Sequence, residues 1–71
     1  MYRIEIYTRW KRGVKTEVSC ESDNIEEILF WFRDNWYIGV KKGTCYFYLF
    51  KDGKKLTFTE TKELGFYDEI D

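Results

Sequence analysis

A chain of 71 residues is one domain at most, which excludes a two-domain enzyme, a TIM barrel or a dinucleotide-binding fold. Thirteen acidic residues against twelve basic ones give a net charge of -1, which argues against a histone-like arm and against an acidic mimic of DNA. With 44% hydrophobic and 21% aromatic residues, the chain is far too apolar to be disordered.

Residues 2–10 alternate. Ile4, Ile6, Thr8 and Trp10 share one face, and Arg3, Glu5, Tyr7 and Arg9 the other. That period of two predicts a half-buried strand. Lys11-Arg12-Gly13 is a turn, after which residues 14–21 alternate again, with Val14, Thr16, Val18 and Cys20 on one face. A three-residue loop pairs Trp10 with Val14, Ile6 with Val18 and Ile4 with Cys20, so the apolar faces match.

Ser22-Asp23-Asn24 then opens a helix, with Asp23 the expected cap and Glu26 its reciprocal partner. Ile25, Ile28, Leu29, Phe32 and Trp36 form one stripe at helical spacing. Gly39 is the expected stop, with Asp34 and Asn35 as weaker ones. Thr44 to Phe50 is the most β-favouring run in the chain. Asp52-Gly53 after it predicts a two-residue type I′ hairpin. This hairpin pairs Phe50 with Lys55, Leu49 with Leu56, Tyr48 with Thr57 and Phe47 with Phe58. Cys45, Phe47, Leu49, Leu56 and Phe58 become an inner face, and Tyr46, Tyr48, Phe50, Thr57 and Thr59 an outer one. Residues 62–71 read as an acidic tail with Leu64, Phe66, Tyr67 and Ile70 as anchors.

The order ββαββ predicts an α+β domain: a four-stranded, mostly antiparallel sheet with one helix packed on one face. The strand orders 2-1-3-4 and 1-2-4-3 both satisfy the strand directions. Either one keeps Cys20 and Cys45 about a strand length apart, roughly 15–20 Å, which is beyond disulfide reach. The expected core is Ile4, Ile6, Val18, Ile25, Ile28, Leu29, Phe32, Trp36, Phe47, Leu49, Leu56 and Phe58.

The chain contains no His, Pro, Ala or Gln. Abundant Lys, Tyr, Phe, Ile, Glu and Asp point to an A/T-rich genome, that of a low-G+C bacterium or one of its phages. Without His there is no Ser-His or Cys-His pair and no zinc set, so neither catalysis nor a cofactor or metal is expected. Glu26 and Glu27 belong to a first helical turn, where acids complement the helix dipole. Asp68, Glu69 and Asp71 lack the spacing of a calcium loop. No apolar run approaches a membrane span and the N-terminus has no signal-peptide core, so a cytoplasmic protein is expected, in the host cytoplasm if phage-encoded.

Surfaces remain as the source of function. Arg9, Lys11, Arg12 and Lys15 with Lys41 and Lys42 should form a basic end, away from the second hairpin tip with Lys51, Lys54 and Lys55. The outer sheet face should present Tyr7, Tyr46, Tyr48 and Phe50 interleaved with Arg3 and Arg9. On the helix, Phe30 and Tyr37 should point away from the core stripe, with Trp31 at its edge. That is more aromatic surface than a small monomer leaves unused, and Tyr, Trp, Phe and Arg are enriched at interface cores. The leading expectation is a non-enzymatic binding protein. By analogy with small phage accessory proteins, it would be a phage-encoded inhibitor or modulator of a host protein in the defence or transcription machinery. Below it ranks a single-stranded nucleic-acid-binding domain that uses the aromatic and basic sheet face. A homodimeric structural protein comes third.

Overall fold

The two alternating N-terminal segments pair as their apolar faces require. In the computed structural model, which describes residues 1–9 and 15–67, β1 (Tyr2–Arg9) and β2 (Lys15–Ser22) are antiparallel, with Ile4 opposite Cys20 and Ile6 opposite Val18. The expected pairing of Trp10 with Val14 lies outside the described residues. The strand β3 (Cys45–Lys51) flanks β1 on its other side, with Leu49 opposite Ile4 and Phe47 opposite Ile6. A short β4 (Lys54–Lys55) completes a four-stranded antiparallel sheet in the order β2-β1-β3-β4. Of the two permitted orders, this one puts β1, with its fully buried Ile4 and Ile6, in the middle, and leaves the two lysines of β4 at an edge. Cys20 and Cys45 sit opposite Ile4 and Thr8, toward opposite ends of β1, and both are free thiols.

The turn between β3 and β4 is the two-residue hairpin expected of Asp-Gly. Lys51 pairs with Lys54, and Asp52 and Gly53 have φ of 51° and 82°, the positive values a type I′ turn demands of both central residues. The expected continuation of β4 through Thr59 is overturned. The Leu56 N–H still donates to the Leu49 carbonyl at 2.8 Å, but Thr57 then caps a new helix, α3 (Phe58–Glu63). Thr57 Oγ1 accepts the Glu60 N–H and Glu60 Oε1 accepts the Thr57 N–H, a reciprocal capping box. Phe58 therefore does not pair with Phe47 and is no core residue; it is 64% exposed. Lys62 and Glu63, assigned above to an acidic tail, lie within α3.

The long helical stripe forms α1 (Ile25–Asn35), which buries Ile28 and Phe32. Its cap is Asn24 and not Asp23. The Asn24 side chain accepts the Glu26 N–H, while Ser22 Oγ accepts the Asn24 N–H and donates to Glu27. Nor does Gly39 end the helix. The chain bends at Trp36 (φ -127°) and continues as α2 (Tyr37–Lys42), which stops at Gly43 with φ 81°. Gly39 serves instead as a point of close approach, since a Cβ there would lie 2.7 Å from Cys45 Sγ.

Between the sheet and α1 lies the core of Ile4, Ile6, Ile28, Phe32, Phe47, Leu49 and Phe66. Ile25, Leu29, Trp36 and Leu56 are half-buried against it, and Val18 is half-buried on β2. Phe66, expected only as a tail anchor, is fully buried, its ring 5.5 Å from Phe32 and 5.8 Å from Phe47. Arg33 donates to the Gly65 carbonyl at 3.0 Å, which ties α1 to the turn that carries Phe66.

Candidate functional site

The helices pack on one face of the sheet, and the opposite face is built from every second residue of β1, β2 and β3. Three cross-strand rows follow from the register. Glu21, Arg3, Phe50 and Lys55 form one, Ser19, Glu5 and Tyr48 the next, and Glu17, Tyr7 and Tyr46 the third. None of the described segments after β3 crosses this face, because Phe66 and Tyr67 pack on the helical side against Phe47.

The rings are held by one another. Tyr7 stacks on Tyr46 with centroids 5.2 Å apart and planes 13° from parallel, and Tyr48 meets Tyr7 and Tyr46 edge-on at 5.6 and 5.8 Å. Lys55 Nζ sits 4.0 Å from the Tyr48 ring centroid, and the Arg3 guanidinium lies 5.7 Å from that of Phe50. Beneath them Glu5 is only 8% exposed although it belongs to the outer face. Its carboxylate pairs with Arg3 and accepts the Tyr7 hydroxyl at 2.9 Å, so the buried charge is matched by a cation and a donor. A hollow of about 320 Å³ opens beside this pair, lined by Arg3, Glu5, Glu21, Phe50 and Asp52.

Of the residues expected to bind a partner, the structure gathers Tyr7, Tyr46, Tyr48 and Phe50 on this one face. Phe30 is on the far side of the molecule, exposed on α1. Trp31 is half-buried against the core and its ring lies 6.2 Å from that of Trp36. Tyr37 does not point away as expected. The bend at Trp36 resets the helical phase, and Tyr37 packs against the core while Ile38 is exposed. Of the basic end, Lys41 and Lys42 are exposed at the end of α2, beside the start of β3. Only the backbone of Arg9 and Lys15 is described, as a pair that closes the β1–β2 ladder, and Lys11 and Arg12 lie outside the described residues.

Sequence reasoning missed Glu5 as an organising group and Phe58 as a surface aromatic. Phe58 stacks 4.9 Å from Tyr67 and lines a groove of about 240 Å³ with Phe47, Leu56 and Thr61. Burial in that groove holds the Tyr67 phenol above its ordinary pKa. The signal for Phe58 was present in Thr57 and Glu60, three residues apart at the start of α3. Glu5 carried no signal, because alternation alone places it in water.

No three His, Cys, Asp or Glu side chains gather as a metal site among the described residues, and no described helix is long and apolar enough to cross a membrane. No family model matches the chain, and neither a curated protein nor a solved structure is detectably similar to it.

Proposed function

We propose that the protein is a non-enzymatic binding domain whose open sheet face docks a protein partner. The observation that carries this reading is the Tyr7–Tyr46–Tyr48 cluster, held ring against ring above the buried Glu5. Such a patch offers large, rigid, amphipathic area with little side-chain entropy left to lose on binding. Arg3 beside Phe50 adds the residue type most enriched with tyrosine at binding hot spots.

The same geometry favours protein over single-stranded nucleic acid. A base-stacking platform needs free ring faces above a cationic groove. Here Tyr7 and Tyr46 stack on each other and cations already lie against the Tyr48 and Phe50 rings. The residue usage that points to an A/T-rich genome, with the small size and aromatic content, supports the finer reading, a phage-encoded inhibitor or modulator of a host protein in the defence or transcription machinery. The test is replacement of Tyr46 and Tyr48 by Ser. Loss of several kcal/mol of binding to a protein, with modest salt dependence, supports the proposal. Loss of roughly 1–3 kcal/mol per base from an oligonucleotide, with a steep salt slope, supports the nucleic-acid alternative.

A further inference from the structure

Among the described residues, β2 has a partner strand on one side only. The Asp52 N–H donates to the Met1 carbonyl at 2.9 Å, which fixes the alternation of the β1–β3 ladder. The backbones of Arg3, Glu5 and Tyr7 then face β3, and those of Ile4, Ile6 and Thr8 face β2. On β2 it follows that Thr16, Val18 and Cys20 bond inward, while the N–H and C=O groups of residues 15, 17, 19 and 21 face outward. No described strand pairs with that side. The register runs from Tyr2–Ser22 to Arg9–Lys15 without a bulge, and the chain has no Pro, so two common protections of an edge are missing. The inner face is unfinished there as well. Val18 and Cys20 are half-exposed, whereas Ile6 and Ile4 opposite them are fully buried.

The geometry points to a second copy of this chain as the occupant, its β2 antiparallel to the first about a two-fold axis at Val18. Inner and outer faces must stay continuous, so only registers that place odd positions opposite odd positions are allowed. Centred on Val18, position 15 (Lys) falls opposite Glu21 of the second copy, position 17 (Glu) opposite Ser19, and Val18 opposite Val18. One residue toward the N-terminus sets position 17 opposite itself, Glu against Glu. One residue toward the C-terminus sets it opposite Glu21. Larger shifts shorten the overlap. The charges on β2 thus select a single register and penalise its neighbours. The result is a continuous eight-stranded sheet, with the tyrosine clusters of both copies on the same side. This interface is separate from the outer face proposed to bind a partner, and each can fail without the other.

Sedimentation of the intact chain, of Ser19→Pro and of Val18→Cys combined with Cys20→Ser tests the inference. Proline at position 19 removes an N–H that faces the open edge and no bond of the β1–β2 ladder, so the fold should survive. The expected results are a particle of twice the 8.8 kDa chain mass for the intact protein, and of 8.8 kDa for Ser19→Pro with an unchanged circular dichroism spectrum. Position 18 opposite itself is a non-hydrogen-bonded pair with Cα atoms about 4.5 Å apart, within disulfide reach, so the cysteine variant should oxidise to a covalent dimer. A monomeric intact chain overturns the inference. So does a Ser19→Pro dimer, or a dimer that dissociates only when Tyr46 and Tyr48 become Ser. Should Ser19→Pro unfold, the covalent dimer alone decides, and failure to cross-link counts against the interface.

Discussion

At Gly39 the approach of α2 to β3 depends on a missing side chain, since a Cβ would lie 2.7 Å from Cys45 Sγ. Gly39→Ala should therefore destabilise the protein, by roughly 1–3 kcal/mol of overpacking. In a Cys45→Ala background the same substitution should cost less, because the 2.7 Å contact is gone while those at 3.4 Å to the Cβ of position 45 and to Thr44 Oγ1 remain. Urea denaturation of the four proteins measures the coupling, and additive effects would contradict the contact. The two late phenylalanines should separate in the same assay. Phe66→Ala, at a fully buried ring, should cost roughly 3–5 kcal/mol, and Phe58→Ala, at an exposed one, less than about 1 kcal/mol. The Met1 ammonium donates to Asp52 Oδ1 at 2.6 Å, and this hydrogen bond holds the amine above its ordinary pKa and the carboxyl below its own. A raised amine value stabilises below the unfolded pKa and is lost as pH rises through the folded one. A lowered carboxylate value stabilises above the unfolded pKa and is lost as pH falls through the folded one. The link thus acts in a window of about pH 4 to 8. Asparagine accepts the positive φ of position 52, so Asp52→Asn keeps the turn. Its difference in Tm from the parent should be widest inside that window and narrow outside it; a pH-independent difference would mean that the charge does not matter.

Among the elements, the helix starts are set by side chains that can be tested singly. Asn24→Ala should cost roughly 0.5–2 kcal/mol, and Asp23→Ala, at an exposed position one residue earlier, no more than about 0.5 kcal/mol. Thermal melts of the two variants that reversed this order would return the cap to Asp23. The β1–β2 register, the β3 face and the type I′ turn were legible because period-two alternation and Asp-Gly are local signals that the sheet does not override. The helix stop was not legible at Gly39. That glycine is required by packing against Cys45, and it is Gly43, at φ 81°, that has the left-handed conformation of a stop after α2. Thr57-Phe58-Thr59 reads as strand by composition, yet the Thr57–Glu60 capping box turns it into helix, and this frees Phe66 to fill the space that Phe58 was expected to fill. The candidate site was legible to the same depth. The outer-face tyrosines follow from alternation, whereas Tyr37 was misplaced because the bend at Trp36 leaves no mark in a periodic pattern.

At the scale of the whole molecule, the described residues form one helical layer on one sheet face and none of them crosses the other, where the stacked tyrosines lie. A domain this small buries only about 60% of the surface that its unfolded chain exposes, so aromatic area left outside is a cost unless a partner covers it. Substitutions on that face should accordingly spare the fold. Tyr46→Ser with Tyr48→Ser should lower Tm less than Phe32→Ala, whose ring lies 4.7 Å from Phe47 in the core. Loss of the fold in the tyrosine variant would show that the two faces of β3 have been exchanged. The most direct measurement is capture from a nuclease-treated lysate of an A/T-rich bacterium, with the intact chain and the Tyr46→Ser, Tyr48→Ser variant side by side. Docking at this face predicts a protein retained in stoichiometric amount by the intact chain after nuclease treatment and absent from the variant. Retention that vanishes with nuclease, or a partner held equally by both chains, would contradict it.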